Sequence, residues 1–185
     1  MIATHIKSQL MSGSEIDRLL VQLAHEIVEN TDRTGKLVIV GIHRRGAVLG
    51  QRIAEKMRTL AARDFPVGTL DITLYRDDLS TLAQDPVLNG TDIPFPLEEK
   101  DVIIVDDVLY TGRTSLAALK ALLDLGRPRT VRLCVLIDRG HRELPLEARF
   151  VGRRVETSAP EIIEVQVASI DGQERVLLVE RGPAA

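Results

Sequence analysis

The sequence predicts an α/β protein built on an open, mostly parallel, twisted sheet flanked by helices. Three observations carry that expectation. Short β-branched apolar runs alternate with amphipathic segments of helical period. Apart from Lys36, the runs at 36–42 and 102–105 are continuously apolar, as strands buried on both faces of a parallel sheet must be. Each of these runs ends in a polar turn followed by a helical pattern, the order of a βα unit.

In chain order, Ser12 and Glu15 have capping-box spacing, and Ile16, Leu19, Leu20, Leu23 and Ile27 recur at helical intervals, which predicts a helix over 14–29. Lys36 to Ile42 is the first strand, His43-Arg44-Arg45-Gly46 a tight turn, and Ala47 to about Ala62 the next helix. Residues 67–74 alternate through Val67, Leu70, Ile72 and Leu74 as a second strand. Tyr75 to Pro96, with Asp-Pro, Asn-Gly and two further prolines, reads as a long loop, a length more typical of lids than of connectors. Val102 to Val105 is the third strand, and Thr114 to Leu125 the helix after it, closed by Gly126 and Pro128. Val131, Leu133, Val135 and Ile137 mark a fourth strand. Residues 138–157 read as irregular and Arg-rich, and 161–180 as a hairpin turning at Asp171-Gly172.

A chain of 185 residues buries a sizeable core without staples, so a single domain over 1–185 is expected. No apolar run has the length of a membrane span, and Met-Ile-Ala-Thr-His-Ile-Lys-Ser lacks the apolar core of a signal peptide. With Cys134 the only cysteine, no disulfide or Cys-based metal site forms within one chain, and a reducing, cytoplasmic setting is expected. A net charge of −3 excludes a generic polyanion binder, so any nucleic-acid surface has to be local. Nineteen of the 24 basic residues are Arg, which suits forked phosphate contacts and equally fits a codon or temperature bias.

The chemistry concentrates in residues 102–114: Val102, Ile103, Ile104, Val105, Asp106, Asp107, Val108, Leu109, Tyr110, Thr111, Gly112, Arg113 and Thr114. The two acids fall where the apolar run stops, at the carboxyl edge of the sheet, where open α/β proteins bind ligands. The turn after them offers hydroxyls, a glycine and backbone N–H groups at a helix N-terminus, a cradle for a phosphate. The carboxylates suit vicinal ribose hydroxyls and a Mg²⁺ that keeps much of its water shell. Neither Gly-x-x-x-x-Gly-Lys-Ser/Thr nor a Gly-x-Gly-x-x-Gly after a strand is present.

Four apolar residues, two acids, three spacers and Thr-Gly-x-Thr match, over all thirteen positions, the phosphoribosyl pyrophosphate (PRPP) signature of type I phosphoribosyltransferases. Together with Asp-Ile-Thr-Leu-Tyr-Arg-Asp-Asp-Leu (71–79) and Asp-Arg-Gly-His-Arg-Glu-Leu-Pro (138–145), the chain resembles the PyrR family over nearly its whole length. That family comprises pyrimidine operon regulators that are also uracil phosphoribosyltransferases. The resemblance implies the type I phosphoribosyltransferase fold, with a lid at about 75–96 and a small hood from about 138–157 plus the C-terminal hairpin. It implies the conversion of uracil and PRPP, with Mg²⁺, to UMP and pyrophosphate. Asp106 and Asp107 are then expected to act in catalysis and to hold the metal directly or through water, with Arg76 reaching from the lid. Arg44 and Arg45 are expected at the pyrophosphate, although many relatives have Thr in place of Arg44. Arg139 and the backbone around Ile163 are expected at the base.

Along the first helix each residue advances about 100°, which puts His25 opposite the apolar stripe, with Arg18 and Gln22 on the same outer face. A solvated face accounts for these residues equally well. The resemblance adds that relatives use this helix and the Arg-rich hood for RNA, and the hood carries Arg139, Arg142, Arg149, Arg153 and Arg154 against Glu143 and Glu147. An RNA surface of Arg18, His25, Arg142 and Arg153, separate from the PRPP pocket, is therefore expected. Its partner would be leader mRNA of pyrimidine genes, with regulation by transcription attenuation or translational repression. A homodimer or higher homo-oligomer is implied as well. Two alternatives stay open: an enzyme without RNA binding, and an enzyme for another base.

Overall fold

The computed structural model describes residues 4–31, 35–76 and 90–181. Its main sheet has five strands, all parallel, in the order β3-β2-β4-β5-β6. The strands are β2 (Leu37–Ile42), β3 (Val67–Leu70), β4 (Asp101–Leu109), β5 (Thr130–Asp138) and β6 (Phe150–Arg154). Three helices flank them, α1 (Gly13–Asn30), α2 (Arg45–Ala61) and α3 (Arg113–Leu125). A small antiparallel sheet, β1-β8-β7, joins β1 (Thr4–Ser12) to a C-terminal pair, β7 (Glu161–Gln166) and β8 (Arg175–Arg181). The turn between that pair is one turn of helix, α4 (Ala168–Asp171).

The apolar runs of β2 and β4 divide their side chains between two cores, because successive residues of a strand face opposite ways. Leu37, Ile39, Ile103 and Val105 pack with α1, α2 and the inner face of the small sheet. Val38, Val40, Ile42, Val102 and Ile104 pack with the Ala117, Ala118, Ala121 and Leu122 face of α3. Among the described residues no helix is long and apolar enough to cross a membrane.

Four features differ from the sequence reading. The second strand ends at Leu70 instead of running to residue 74. Asp71 Oδ1 accepts from the backbone N–H and the hydroxyl of Thr73, at 2.9 and 2.6 Å, and this turn starts a short 3-10 helix, Thr73–Tyr75. β4 does not stop at Val105 but continues through both acids to Leu109, because its ladder with β5 runs on to Leu109 opposite Asp138. Residues 138–157 are not wholly irregular, since they contain the edge strand β6, parallel to β5. β1 carries no clean apolar alternation; its Ile6 is exposed and only Met11 is fully buried, and pairing with β8 makes it a strand. Of the expected lid, 77–89 lies outside the described residues.

Candidate active site at the switch point of the sheet

The strand order reverses between β2 and β4, because β2 is followed by α2 and β3 on one side while β4 opens the other side. Ligands of open parallel sheets bind in the crevice at such a point. Here the crevice is deepened by a difference in ladder length. Pairing of β4 with β2 ends at Gly41 opposite Val105, whereas pairing with β5 continues. Asp106 and Asp107 therefore stand above the end of β2, facing the His43–Gly46 turn. That turn comes close because of Gly46: a Cβ there would lie 2.4 Å from the Val105 carbonyl oxygen, inside any allowed contact.

The resulting cavity, about 360 Å³, is lined by His43, Arg44, Arg45, Asp71, Thr73, Arg76, Asp106, Asp107 and Thr114. A second space of about 270 Å³, lined by Arg76 and by Val108 to Ser115, shares Arg76, Val108 and Thr114 with it, so the two form one cleft. Burial and then the neighbouring Asp107 charge push the Asp106 carboxyl well above the usual carboxylate range, with Arg76 opposing. Burial also raises Asp107, against a hydrogen bond to Asp106 and the charge of Arg45. Such a pair holds a proton readily and gives it up when a cation or a hydroxyl-bearing ligand arrives. Among the described residues no group of three or more His, Cys, Asp or Glu side chains is arranged to hold a metal.

The loop from Thr111 into α3 turns on Gly112, whose φ of +92° is the left-handed region. Segment 139–144 straps this loop from outside. Arg139 N–H donates to the Leu109 carbonyl at 3.1 Å, and Glu143 and Leu144 N–H groups donate to the Thr111 carbonyl at 2.9 and 3.1 Å. The Arg113 Nε donates to Glu143 Oε2 at 2.9 Å. The backbone N–H groups that begin α3 thus sit on a loop held at both ends.

On the opposite wall the two arginines divide. Arg45 is paired with Asp171 of α4, at 2.7 Å from Nη2 to Oδ1. The side chain of Arg44, exposed at the cavity edge, makes no hydrogen bond among the described residues. The peptide between His43 and Arg44 is cis. Arg76 lines both parts of the cleft.

Arg139, expected near the base, is 5% exposed, and its guanidinium lies 3.9 Å from the centroid of the Tyr110 ring. Its Nη2 donates to the Glu161 carbonyl at 2.7 Å and its Nε to Thr157 Oγ1 at 3.1 Å, which joins the hood to β7. The Ile163 side chain is buried in the core, so only its backbone is left for recognition. Of the residues expected to meet RNA, Arg18 and His25 are exposed along α1, and Arg153 is exposed on β6, which packs beside α1. Arg18 and Arg153 both act on Glu15, and Arg153 Nη1 donates to the Leu10 carbonyl at 3.2 Å. Arg142 is half-buried and does not line the cleft. It donates to the carbonyls of Tyr110 at 2.7 Å, Gly140 at 3.1 Å and Leu146 at 3.0 Å, and to Asp138 Oδ1 at 2.5 Å, so it braces the hood segment against Tyr110, which lines the cleft.

Sequence reasoning gave no role to Asp71 or His43, which line the cavity, and treated Asp171 only as a turn residue. Asp71 had a local signal, as the first residue of the block 71–79. Asp171 had none, because its partner lies 126 residues away.

A phosphoribosyl transferase domain model matches residues 7–169. The bifunctional protein PyrR of Pelotomaculum thermopropionicum is 53% identical over 174 residues, covering 94% of this chain and 96% of that protein. The bifunctional protein PyrR of Thermus thermophilus is 53% identical over 175 residues, covering 95% and 97%. Among solved structures, a hypoxanthine-guanine phosphoribosyltransferase of Bacillus anthracis superposes with a TM-score of 0.70 at 20% identity, over 96% of this chain and 99% of that one. A hypoxanthine phosphoribosyltransferase of Trypanosoma cruzi gives a TM-score of 0.70 at 14% identity, over 96% and 98%. At those identities the structures speak to the fold, which is that of the type I phosphoribosyltransferases. With more than half of its residues identical to such a relative over 94% of its length, the chain belongs to the phosphoribosyl transferase family and, within it, to the PyrR proteins.

Proposed function

We propose that this protein transfers the phosphoribosyl group of PRPP to uracil, giving UMP and pyrophosphate, and that it binds leader RNA of pyrimidine genes in response to UMP. The observation that carries the catalytic part is the single cleft that joins the acid pair, the Thr111–Thr114 loop and Arg44 across the switch point. The loop N–H groups suit the 5-phosphate, the acids the ribose hydroxyls, and Arg44 and Arg76 the pyrophosphate. Two adjacent carboxyls, with no third acidic ligand grouped with them among the described residues, fit Mg²⁺, which binds through one or two carboxylates and takes the rest of its shell from water and phosphate oxygens. Bound there, the metal would supply charge stabilisation for the departing pyrophosphate.

In such a transfer positive charge develops at the ribose C1 and negative charge on the leaving group, so preset donors on the pyrophosphate side lower the barrier. Uracil as the base is supported by the blocks at 71–79 and 138–145. The RNA part is supported by the exposed Arg18, His25 and Arg153, and by the register that sets Arg154 beside Asp138, the partner of Arg142. A basic surface would then run from α1 over β6 to the hood. A two-fold dimer is the unit proposed for it.

Turnover with uracil, hypoxanthine and orotate tests the reading: uracil should be used well above the other two. Preference for hypoxanthine would sink the base assignment and leave a phosphoribosyltransferase of another specificity.

A further inference from the structure

The His43–Gly46 turn is held by a residue of the other sheet. Arg45 donates from Nη2 to Asp171 Oδ1 at 2.7 Å and from Nε to Oδ2 at 3.1 Å, a forked pair that fixes the guanidinium plane as well as its distance. Asp171 is itself anchored, since the Val167 N–H donates to its Oδ2 at 2.8 Å. The pair is half-sheltered, the two side chains being 36% and 16% exposed. Beyond Asp171, Arg45 stands in the field of Asp107, on the floor of the cavity. An arginine has five N–H donors, so the pair with Asp171 leaves further donors on a side chain that lines the cavity.

We propose that Asp171 is a positioning residue for the pyrophosphate end of the site. It holds Arg45 beside Asp107, and through Arg45 it fixes the turn that presents Arg44. The C-terminal sheet would then act in substrate binding through α4, besides covering the core. This inference rests on reading the cleft as a PRPP site.

The test separates the two ends of the substrate by calorimetric titration of the full-length protein, with Mg²⁺, against inorganic pyrophosphate and against ribose 5-phosphate. Asp171→Asn should weaken pyrophosphate roughly tenfold, the change carried by one charge-assisted hydrogen bond, and leave ribose 5-phosphate unchanged. Arg45→Lys keeps the charge but loses the fork and should behave alike, and the double variant should be no weaker than the weaker single one. In turnover the same variants should raise the KM for PRPP more than they lower kcat. Arg45→Lys carries the test if Asp171→Asn does not fold. Unchanged or tighter pyrophosphate binding would overturn the proposal. So would independent, additive effects, or equal losses for both ligands, which mark a merely structural tie. If the wild type binds neither ligand, the reading of the cleft itself fails.

Discussion

Asp106 shows how function is built at a cost to the fold. A carboxyl whose folded pKa lies above its unfolded value destabilises the protein as pH rises through the window between the two, because the unfolded chain gives up the proton first. Burial and the Asp107 charge put Asp106 in that position. In metal-free buffer at neutral pH, Asp106→Asn should therefore raise Tm, with each kcal/mol appearing as about 2–4 °C for a chain of this size. The gain should vanish on acidification below the ordinary carboxylate range, while kcat/KM for PRPP falls. Thermal melts across pH measure it, and a lower Tm in the Asn variant at neutral pH would refute the account. Gly112 makes the complementary point about backbone. Its φ of +92° is closed to β-branched residues, and a Cβ there would lie 3.3 Å from Leu144 Cβ. Gly112→Val should damage PRPP binding much more than Thr111→Ser, if the cradle consists of N–H groups; equal effects in steady-state kinetics would argue for side-chain contacts instead.

At the scale of elements, the buried strands and the helices after them were legible, because continuous apolar runs and helical spacing are local signals. Each of α1, α2 and α3 stands within two residues of its expected start. The acid pair and the Thr111–Thr114 loop, which line the cleft together, could be picked out for the same reason, being contiguous in sequence. What was not legible depends on partners far along the chain. β1 becomes a strand through β8, β6 through β5, and the last residues of β4 through the continued ladder with β5. The Arg45–Asp171 pair and the bond from Arg142 to the Tyr110 carbonyl are likewise non-local. The close approach of α2 to β4 yields a test at this scale. Gly46→Ala forces a methyl against the Val105 carbonyl, and the overpacking should cost about 1–3 kcal/mol. Because α2 carries the turn proposed to meet pyrophosphate, stability in urea and kcat/KM for PRPP should fall together; stability lost with normal kinetics would separate the turn from the packing beneath it.

For the whole molecule, the cleft and the proposed RNA surface share one segment. Residues 139–144 strap the Thr111–Thr114 loop on one side, and on the other they follow directly on Asp138, opposite the exposed Arg154 of β6. A ligand that orders the loop therefore bears on the segment that would meet RNA, which gives UMP a physical route to RNA affinity. If that coupling exists it is reciprocal: RNA must raise the affinity for UMP by the factor by which UMP raises the affinity for RNA. Arg18 and Arg153, which both act on Glu15 and line the α1–β6 side, should contact phosphates. Neutralising either one should flatten the slope of log affinity against log salt by about 0.7–0.9, one counterion's worth, while turnover stays near wild type. Arg142→Gln should differ from both. It removes a donor from the Tyr110 carbonyl and from Asp138, so PRPP binding should suffer whatever happens to RNA. Filter binding of pyrimidine leader RNA with and without UMP, run beside uracil turnover on the three variants, measures all of this. Salt slopes unchanged in Arg18→Gln and Arg153→Gln would remove the α1–β6 side from the RNA surface, and normal PRPP kinetics in Arg142→Gln would show that the phosphate loop holds its shape without that strap.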